Sequence, residues 1–142
     1  LCFFITQPIY SKSFKTKVLD GYNIKKLQLI IDTPQFCIDA QTIEKKVQDV
    51  FSKTKIKLVK KSSPYALHIN LNVLEEANSR FCVCSLNFEI TSFVKLGNKR
   101  VVDVRYWSDS WVFIAPNPYQ NEILSKVTNL SIEAINYILA HN

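Results

Sequence analysis

The chain has 142 residues, of which 47% are hydrophobic and 21% are charged, and its mean hydropathy is near zero. These proportions are typical of one globular domain and exclude a disordered tail, a collagen and a multi-span membrane protein. Eighteen Lys and Arg against twelve Asp and Glu give a net charge of +6. The sequence contains two glycines, Gly21 and Gly97, which excludes the glycine-rich loops that bind phosphate.

Residues 1–13 have the features of the end of a secretory signal peptide. An apolar, uncharged run from Leu1 to Thr6 precedes a helix breaker at Pro8, and Ser11 and Ser13 fit the small-x-small pattern of a cleavage site. Cleavage after Ser13 would make 1–13 a signal-peptide remnant and 14–142 a single domain. It also predicts export to the periplasm or out of the cell. Alternatively, Cys2 to Ile5 form an N-terminal strand that packs on the core.

The first half of the domain predicts one strand and one helix. The apolar run from Leu27 to Asp32 stops before Pro34 and is typical of a short strand. Asp39 is the expected N-cap of a helix that ends near Lys53. The apolar stripe of this helix consists of Ile43, Val47, Val50 and Phe51. From Lys55 to Lys60, lysines alternate with apolar residues, which indicates either a short strand or the frayed end of the helix.

Three strands with one polar face each follow. Apolar and polar residues alternate from Leu67 to Val73, from Cys82 to Ile90 and from Val102 to Trp107. A bulge would extend the last strand to Trp111 and Phe113. Short polar turns, at residues 75–80 and 97–98, separate them. The pattern therefore predicts an antiparallel meander.

The C-terminal segment predicts an amphipathic helix. Asn117 is the expected N-cap and Pro118 the first helical residue. Apolar residues then recur at helical spacing, namely Ile123, Val127, Leu130, Ala134 and Ile138. The complete order is β-α-β-β-β-α, which predicts an α+β fold with two helices on one face of a mainly antiparallel four-stranded sheet and a polar second face.

This order of elements resembles that of small accessory lipoproteins of the Gram-negative envelope, the lipopolysaccharide-assembly lipoprotein and the auxiliary lipoprotein of lipid-transport ABC systems. The resemblance is carried by the pattern from Leu67 to Leu71, the central strand from Leu86 to Ile90 and the closing helix from Leu124 to Leu139. No lipobox cysteine is visible and no lipid- or partner-binding residue is matched. The resemblance implies an extracytoplasmic accessory protein that assists the traffic of lipid or outer-membrane components.

The residues that commonly carry catalysis do not form a recognisable set. His68 falls on the polar side of its strand and is expected to be solvated, whereas Cys82 and Cys84 fall on the apolar side. Those two cysteines are too far apart along the strand to form a disulfide with each other. Cys37 either forms a disulfide with one of them, or all three cysteines are buried thiols. No zinc-ligand spacing and no hydrolase motif occurs. The sequence predicts a non-enzymatic protein without metal or cofactor.

A lysine cluster within residues 41–61 is one candidate binding surface. Its members are Lys45, Lys46, Lys53, Lys55, Lys57, Lys60 and Lys61, with Glu44 and Asp49 as the acidic residues of the same stretch. Such a patch fits anionic lipid headgroups or nucleic acid, and it is also what an ordinary solvated surface looks like. The apolar start of the chain and the presence of just three arginines disfavour nucleic acid.

An aromatic segment is the other candidate, formed by Tyr106, Trp107, Asp109, Trp111 and Phe113. Both tryptophans share the alternation of Arg105, so at least one is expected on the polar face, where large aromatics mark interfaces. A bulge before Trp111 would instead turn one of them into the core. The leading hypothesis is an envelope protein that binds a protein or lipid partner through this segment. The alternative is a basic nucleic-acid-binding module of ferredoxin-like topology.

Overall fold

The computed structural model describes residues 23–34, 38–61, 63–77, 80–96 and 100–142, so the predicted signal-peptide remnant, Cys37 and the turn at 97–98 lie outside the described residues. Within these residues, seven elements follow one another. They are β1 (Lys26–Asp32), α1 (Ala40–Phe51), β2 (Lys57–Val59), β3 (Tyr65–Ala77), β4 (Phe81–Leu96), β5 (Arg100–Pro116) and α2 (Tyr119–His141).

The strands form one mixed sheet in the order β2-β1-β3-β4-β5. β1 is parallel to both of its neighbours, and β3, β4 and β5 form the predicted antiparallel meander. The α+β class is confirmed, but the sheet has five strands rather than four because Lys57–Val59 pairs with the start of β1. This order also differs from the β-α-β-β-α-β order of the ferredoxin-like fold that the alternative hypothesis required.

The first helix has the cap that the sequence predicts. The Asp39 carboxylate accepts a hydrogen bond from the Thr42 N–H at 2.7 Å, which satisfies one of the donors left free at the start of a helix. Ile43, Val47 and Phe51 are buried. The helix ends at Phe51 rather than near Lys53, because the Ser52 N–H makes the last helical bond to the Gln48 carbonyl and the chain then turns toward β2.

The start of α2 differs from the prediction. The helix begins at Tyr119 with Pro118 as its N-cap, following a cis Asn117–Pro118 peptide bond, and no side chain of the described residues makes a capping hydrogen bond. Asn117 is not the N-cap because its N–H donates to the Arg80 carbonyl at 2.8 Å and extends the pairing of β4 with β5. The predicted apolar stripe is confirmed, since Ile123, Val127, Leu130, Ala134 and Ile138 are all buried.

One core fills the space between the sheet and the two helices. β4 contributes its predicted apolar side, Cys82, Cys84, Leu86, Phe88 and Ile90, each of them 0% exposed. Cys82 and Cys84 therefore lie on the same, buried side of the strand, as their spacing predicts. β3 extends to Ala77 through an irregular register after Val73, so the predicted turn at residues 75–80 is shorter than expected. No helix among the described residues is long and apolar enough to cross a membrane.

The other side of the sheet, which we call the open face, carries polar side chains, as predicted. His68 lies between Ile30 and Glu89 on this face. Its environment differs from the expected one: the residue is half-buried, and its Nε2 atom is buried without a hydrogen-bond partner among the described residues. Glu89 accepts a hydrogen bond from Asn87 at 3.0 Å and lies 3.0 Å from the Arg105 guanidinium.

Candidate functional site

A bulge in β5 decides where the aromatic segment points. Trp107 is opposite Ile90, whereas Arg105 is opposite Thr91, so Tyr106 is an extra residue with no partner across the ladder. An extra residue reverses the alternation that follows it. Trp107 and Trp111 therefore both face the helices, and the expectation that one of them lies on the polar face is wrong.

Three of the five predicted aromatic-segment residues are part of the core. Tyr106 is 4%, Trp107 8% and Phe113 5% exposed. Trp107 stacks on Tyr137 of α2 with ring centroids 6.2 Å apart, and the Tyr137 hydroxyl donates to the Tyr106 carbonyl at 3.1 Å. Burial is the main reason that the pKa of Tyr137 is raised. These contacts show that Trp107 holds α2 on the sheet.

Asp109 and Trp111, the other two predicted residues, lie at the margin of the core and are half-buried. The ammonium group of Lys126 lies over the Trp111 ring, 4.6 Å from its centroid, within the range of a cation–π contact. The same ammonium is 3.4 Å from the Glu122 carboxylate one helical turn earlier. The indole N–H of Trp111 is buried and has no hydrogen-bond partner in the part of the chain that the structure describes.

Next to Trp111 two carboxyl groups from different elements approach each other. Partial burial of its carboxyl, together with the hydrogen bond and the like charge of Asp109, raises the pKa of Glu133 to about 7. The Asp109 carboxylate also accepts a hydrogen bond from the Ser110 N–H at 2.8 Å. Such a pair holds a proton near neutral pH, because two adjacent carboxylates repel each other when both are ionised. We call Asp109, Trp111, Lys126 and Glu133 together the β5–α2 surface.

Sequence analysis identified the β5 half of this surface but not the α2 half. Lys126 and Glu133 are seven residues apart and so lie on one side of the helix, two turns from each other. That spacing is the sequence feature from which the α2 half of the surface could have been predicted. It did not reveal which strand the two side chains face, because the contact depends on how α2 lies across β5.

The predicted lysine cluster is divided between helix α1 and the segment around β2. Lys45 and Lys46 line an open groove of about 590 Å³ between α1 and Leu124 of α2. Lys57 lines a second groove of about 450 Å³ beside Phe51 and Leu58. Lys53, Lys55, Lys60 and Lys61 are exposed on the segments that flank β2. Among the described residues, no group of three or more His, Cys, Asp or Glu side chains is arranged to hold a metal ion.

Comparison with models of protein families finds no match, and comparison with curated protein sequences finds none. Similar solved structures include a minor lipoprotein from Acinetobacter baumannii, at 12% identity and a TM-score of 0.43 over 82% of this chain and 92% of that chain. The PelC dodecamer from Paraburkholderia phytofirmans matches at 11% identity and a TM-score of 0.40 over 78% and 82% of the two chains. Rare lipoprotein B from Shewanella oneidensis matches at 13% identity and a TM-score of 0.31 over 80% and 91%. The predicted resemblance to lipoproteins is confirmed as a weak likeness of fold, and at these TM-scores it carries no argument about function.

Proposed function

We propose that this chain is a non-enzymatic accessory protein of the cell envelope, exported from the cytoplasm, whose β5–α2 surface binds a protein partner. The observation that carries the proposal is Trp111, a half-buried tryptophan at the rim of the core, with a lysine over its ring and a carboxyl pair beside it. Aromatic residues ringed by polar groups are the usual centres of protein interfaces.

The proposal keeps the predicted partner-binding role but moves its centre from Trp107 to Trp111. Trp107 is almost fully buried and stacks on Tyr137, so a partner has little of it to contact. Asp109, Glu133 and Lys126 supply charges of both signs around Trp111, and this arrangement favours one orientation of a partner over others. Assistance in the traffic of lipid or outer-membrane components is the finer role that we propose for such a complex.

The test is capture of a partner from a native envelope extract by the purified chain, with Trp111→Ala and Ile132→Ala as the matched variants. Ile132 is an apolar residue of α2 that is 45% exposed and lies outside the β5–α2 surface. Loss of an aromatic anchor at the centre of an interface weakens binding by more than about tenfold. We expect that loss for Trp111→Ala and wild-type binding for Ile132→Ala, with both variants folded by circular dichroism.

Lys45→Gln and Lys46→Gln together provide the second comparison. These lysines line a groove to which no residue of the β5–α2 surface contributes, so their removal should change chiefly the salt dependence of binding. Equal partner binding by wild type and Trp111→Ala would refute the assignment of the surface. Turnover of a substrate by the purified chain would refute the non-enzymatic role.

A further inference from the structure

Lysines gather at the β2 edge of the sheet. Lys25 directly precedes β1, Lys26 begins β1 and Lys57 begins β2. Lys26 and Lys57 are register partners on these adjacent parallel strands. The Lys57 N–H donates to the Lys25 carbonyl at 2.9 Å, which brings the backbones that carry these residues together. With the residues that flank β2, the group comprises Lys25, Lys26, Lys53, Lys55, Lys57, Lys60 and Lys61, which we call the β2-edge lysines.

The charge of this group is not neutralised locally. All seven side chains are exposed, and within the described residues none of them lies in an ion pair. Neither residues 23–31 nor residues 52–61 contain an Asp or Glu. Like charges in register on adjacent strands repel each other and disfavour the pairing. An anionic counterpart would remove that repulsion.

The shape and chemistry of the edge favour a broad anionic surface over a nucleic acid. The group contains lysine alone, whereas bidentate recognition of phosphates and bases relies on arginine. Half-buried Val59 lies on the same side of β2 as Lys57, so an apolar side chain accompanies the charges, whereas Leu58 packs on the core. Lysines around short apolar side chains are typical of contact with the interfacial layer of a bilayer.

From these observations we infer that the β2-edge lysines dock the protein on a membrane surface rich in anionic lipid headgroups. The β5–α2 surface belongs to the opposite edge of the sheet, because β2 and β5 are the outer strands of the described order. A molecule docked through β2 therefore leaves the β5–α2 surface available to a partner.

The experiment measures sedimentation of the purified full chain with vesicles of phosphatidylglycerol and phosphatidylcholine, and with vesicles of phosphatidylcholine alone. Lys26→Gln with Lys57→Gln is compared with Arg80→Gln with Arg105→Gln, which removes the same charge elsewhere. One lysine near an anionic bilayer contributes about a fivefold factor in binding. We therefore expect about 30-fold weaker binding for the lysine pair, little change for the arginine pair, and loss of binding at high salt.

Three results would overturn the inference. Equal weakening by the two pairs would show that net charge alone causes binding. Absence of binding to the anionic vesicles would show that the lysines simply keep an outer strand from pairing with other chains, a common use of edge lysines. Tighter binding to a DNA or RNA oligonucleotide than to the vesicles at the same salt concentration would assign the edge to nucleic acid. None of these results bears on the β5–α2 surface, which the partner-capture experiment tests separately.

Discussion

At the scale of single residues, the most informative group is the Glu133 carboxyl. Its pKa is raised from 4.5 to about 7 by partial burial and by Asp109. Sequence patterning could not indicate this, since Asp109 and Glu133 belong to a strand and a helix that meet only in the folded chain. His68 makes the same point: its place on the polar side of its strand was predicted correctly, whereas the burial of its Nε2 atom was not predicted.

The raised pKa of Glu133 predicts a pH dependence of stability with a definite sign. Between pH 4.5 and about 7 the folded state retains a proton that the unfolded state releases, so the free energy of unfolding decreases as the pH rises through this range. Above about pH 7 this contribution is constant. We expect Glu133→Gln to remove this decrease from urea unfolding midpoints measured across the range.

Glu122→Gln is the matched control for that experiment, because Glu122 is on the same helix and pairs with Lys126 rather than with a carboxylate. Glu122→Gln should therefore show the same decrease in the urea unfolding midpoint between pH 4.5 and about 7 as the wild type. An identical pH profile for wild type and Glu133→Gln would show that the carboxyl pair does not hold a proton in the folded protein.

At the scale of elements, β5 shows how one extra residue changes the meaning of a sequence pattern. Trp107 is two residues after Arg105, and in a regular strand that spacing places both side chains on one side of the sheet. The bulge at Tyr106 breaks this rule and turns both tryptophans toward α2. The strand β2 shows a different limit. With three residues, the spacing of apolar side chains cannot distinguish a strand from the frayed end of a helix. The segment is a strand because it pairs with β1.

The core position of Trp107 predicts a large loss of stability on truncation. Trp107→Ala removes the ring that stacks on Tyr137, and such a change in a core costs about 3–5 kcal/mol. For a chain of this size we expect the melting temperature to fall by roughly 10 °C or more. Differential scanning calorimetry measures it, and Ile132→Ala on the exposed side of α2 should change the melting temperature very little. A small decrease in the melting temperature of Trp107→Ala would show that Trp107 is not part of the core.

At the scale of the whole molecule, the end of α2 is joined to the segment that precedes β1. The Ile24 N–H donates to Asn142 Oδ1 at 2.9 Å, and Asn142 Nδ2 donates to the Ile24 carbonyl at 3.2 Å. This reciprocal pair connects positions 118 residues apart. It ties the helix layer to β1, next to Lys25 and Lys26.

Loss of this connection is expected to weaken the whole fold modestly. Asn142→Ala removes both side-chain hydrogen bonds, and we expect the free energy of unfolding to fall by about 1 kcal/mol. Amide hydrogen exchange of Ile24 should become faster in the variant, because its N–H loses its acceptor. Asn136→Ala, an exposed asparagine of the same helix, is the control and should change neither quantity. Unchanged exchange at Ile24 in Asn142→Ala would contradict the contact.

The sequence by itself determined the features that repeat at short range. The apolar sides of α1, α2 and β4 and the polar face of the meander follow from periods of 3.6 or 2 residues. The Asp39 cap follows from the type of residue that precedes the first helical turn, and all of these features are found in the structure. The tertiary structure alone decided the position of Trp111 beneath Lys126, the proximity of Asp109 to Glu133 and the alignment of Lys26 with Lys57. The physical reason is that periodicity records which side of an element is buried. Contacts between elements depend on strand register, bulges and the packing of helices across the sheet, to which residues far apart in the chain contribute together.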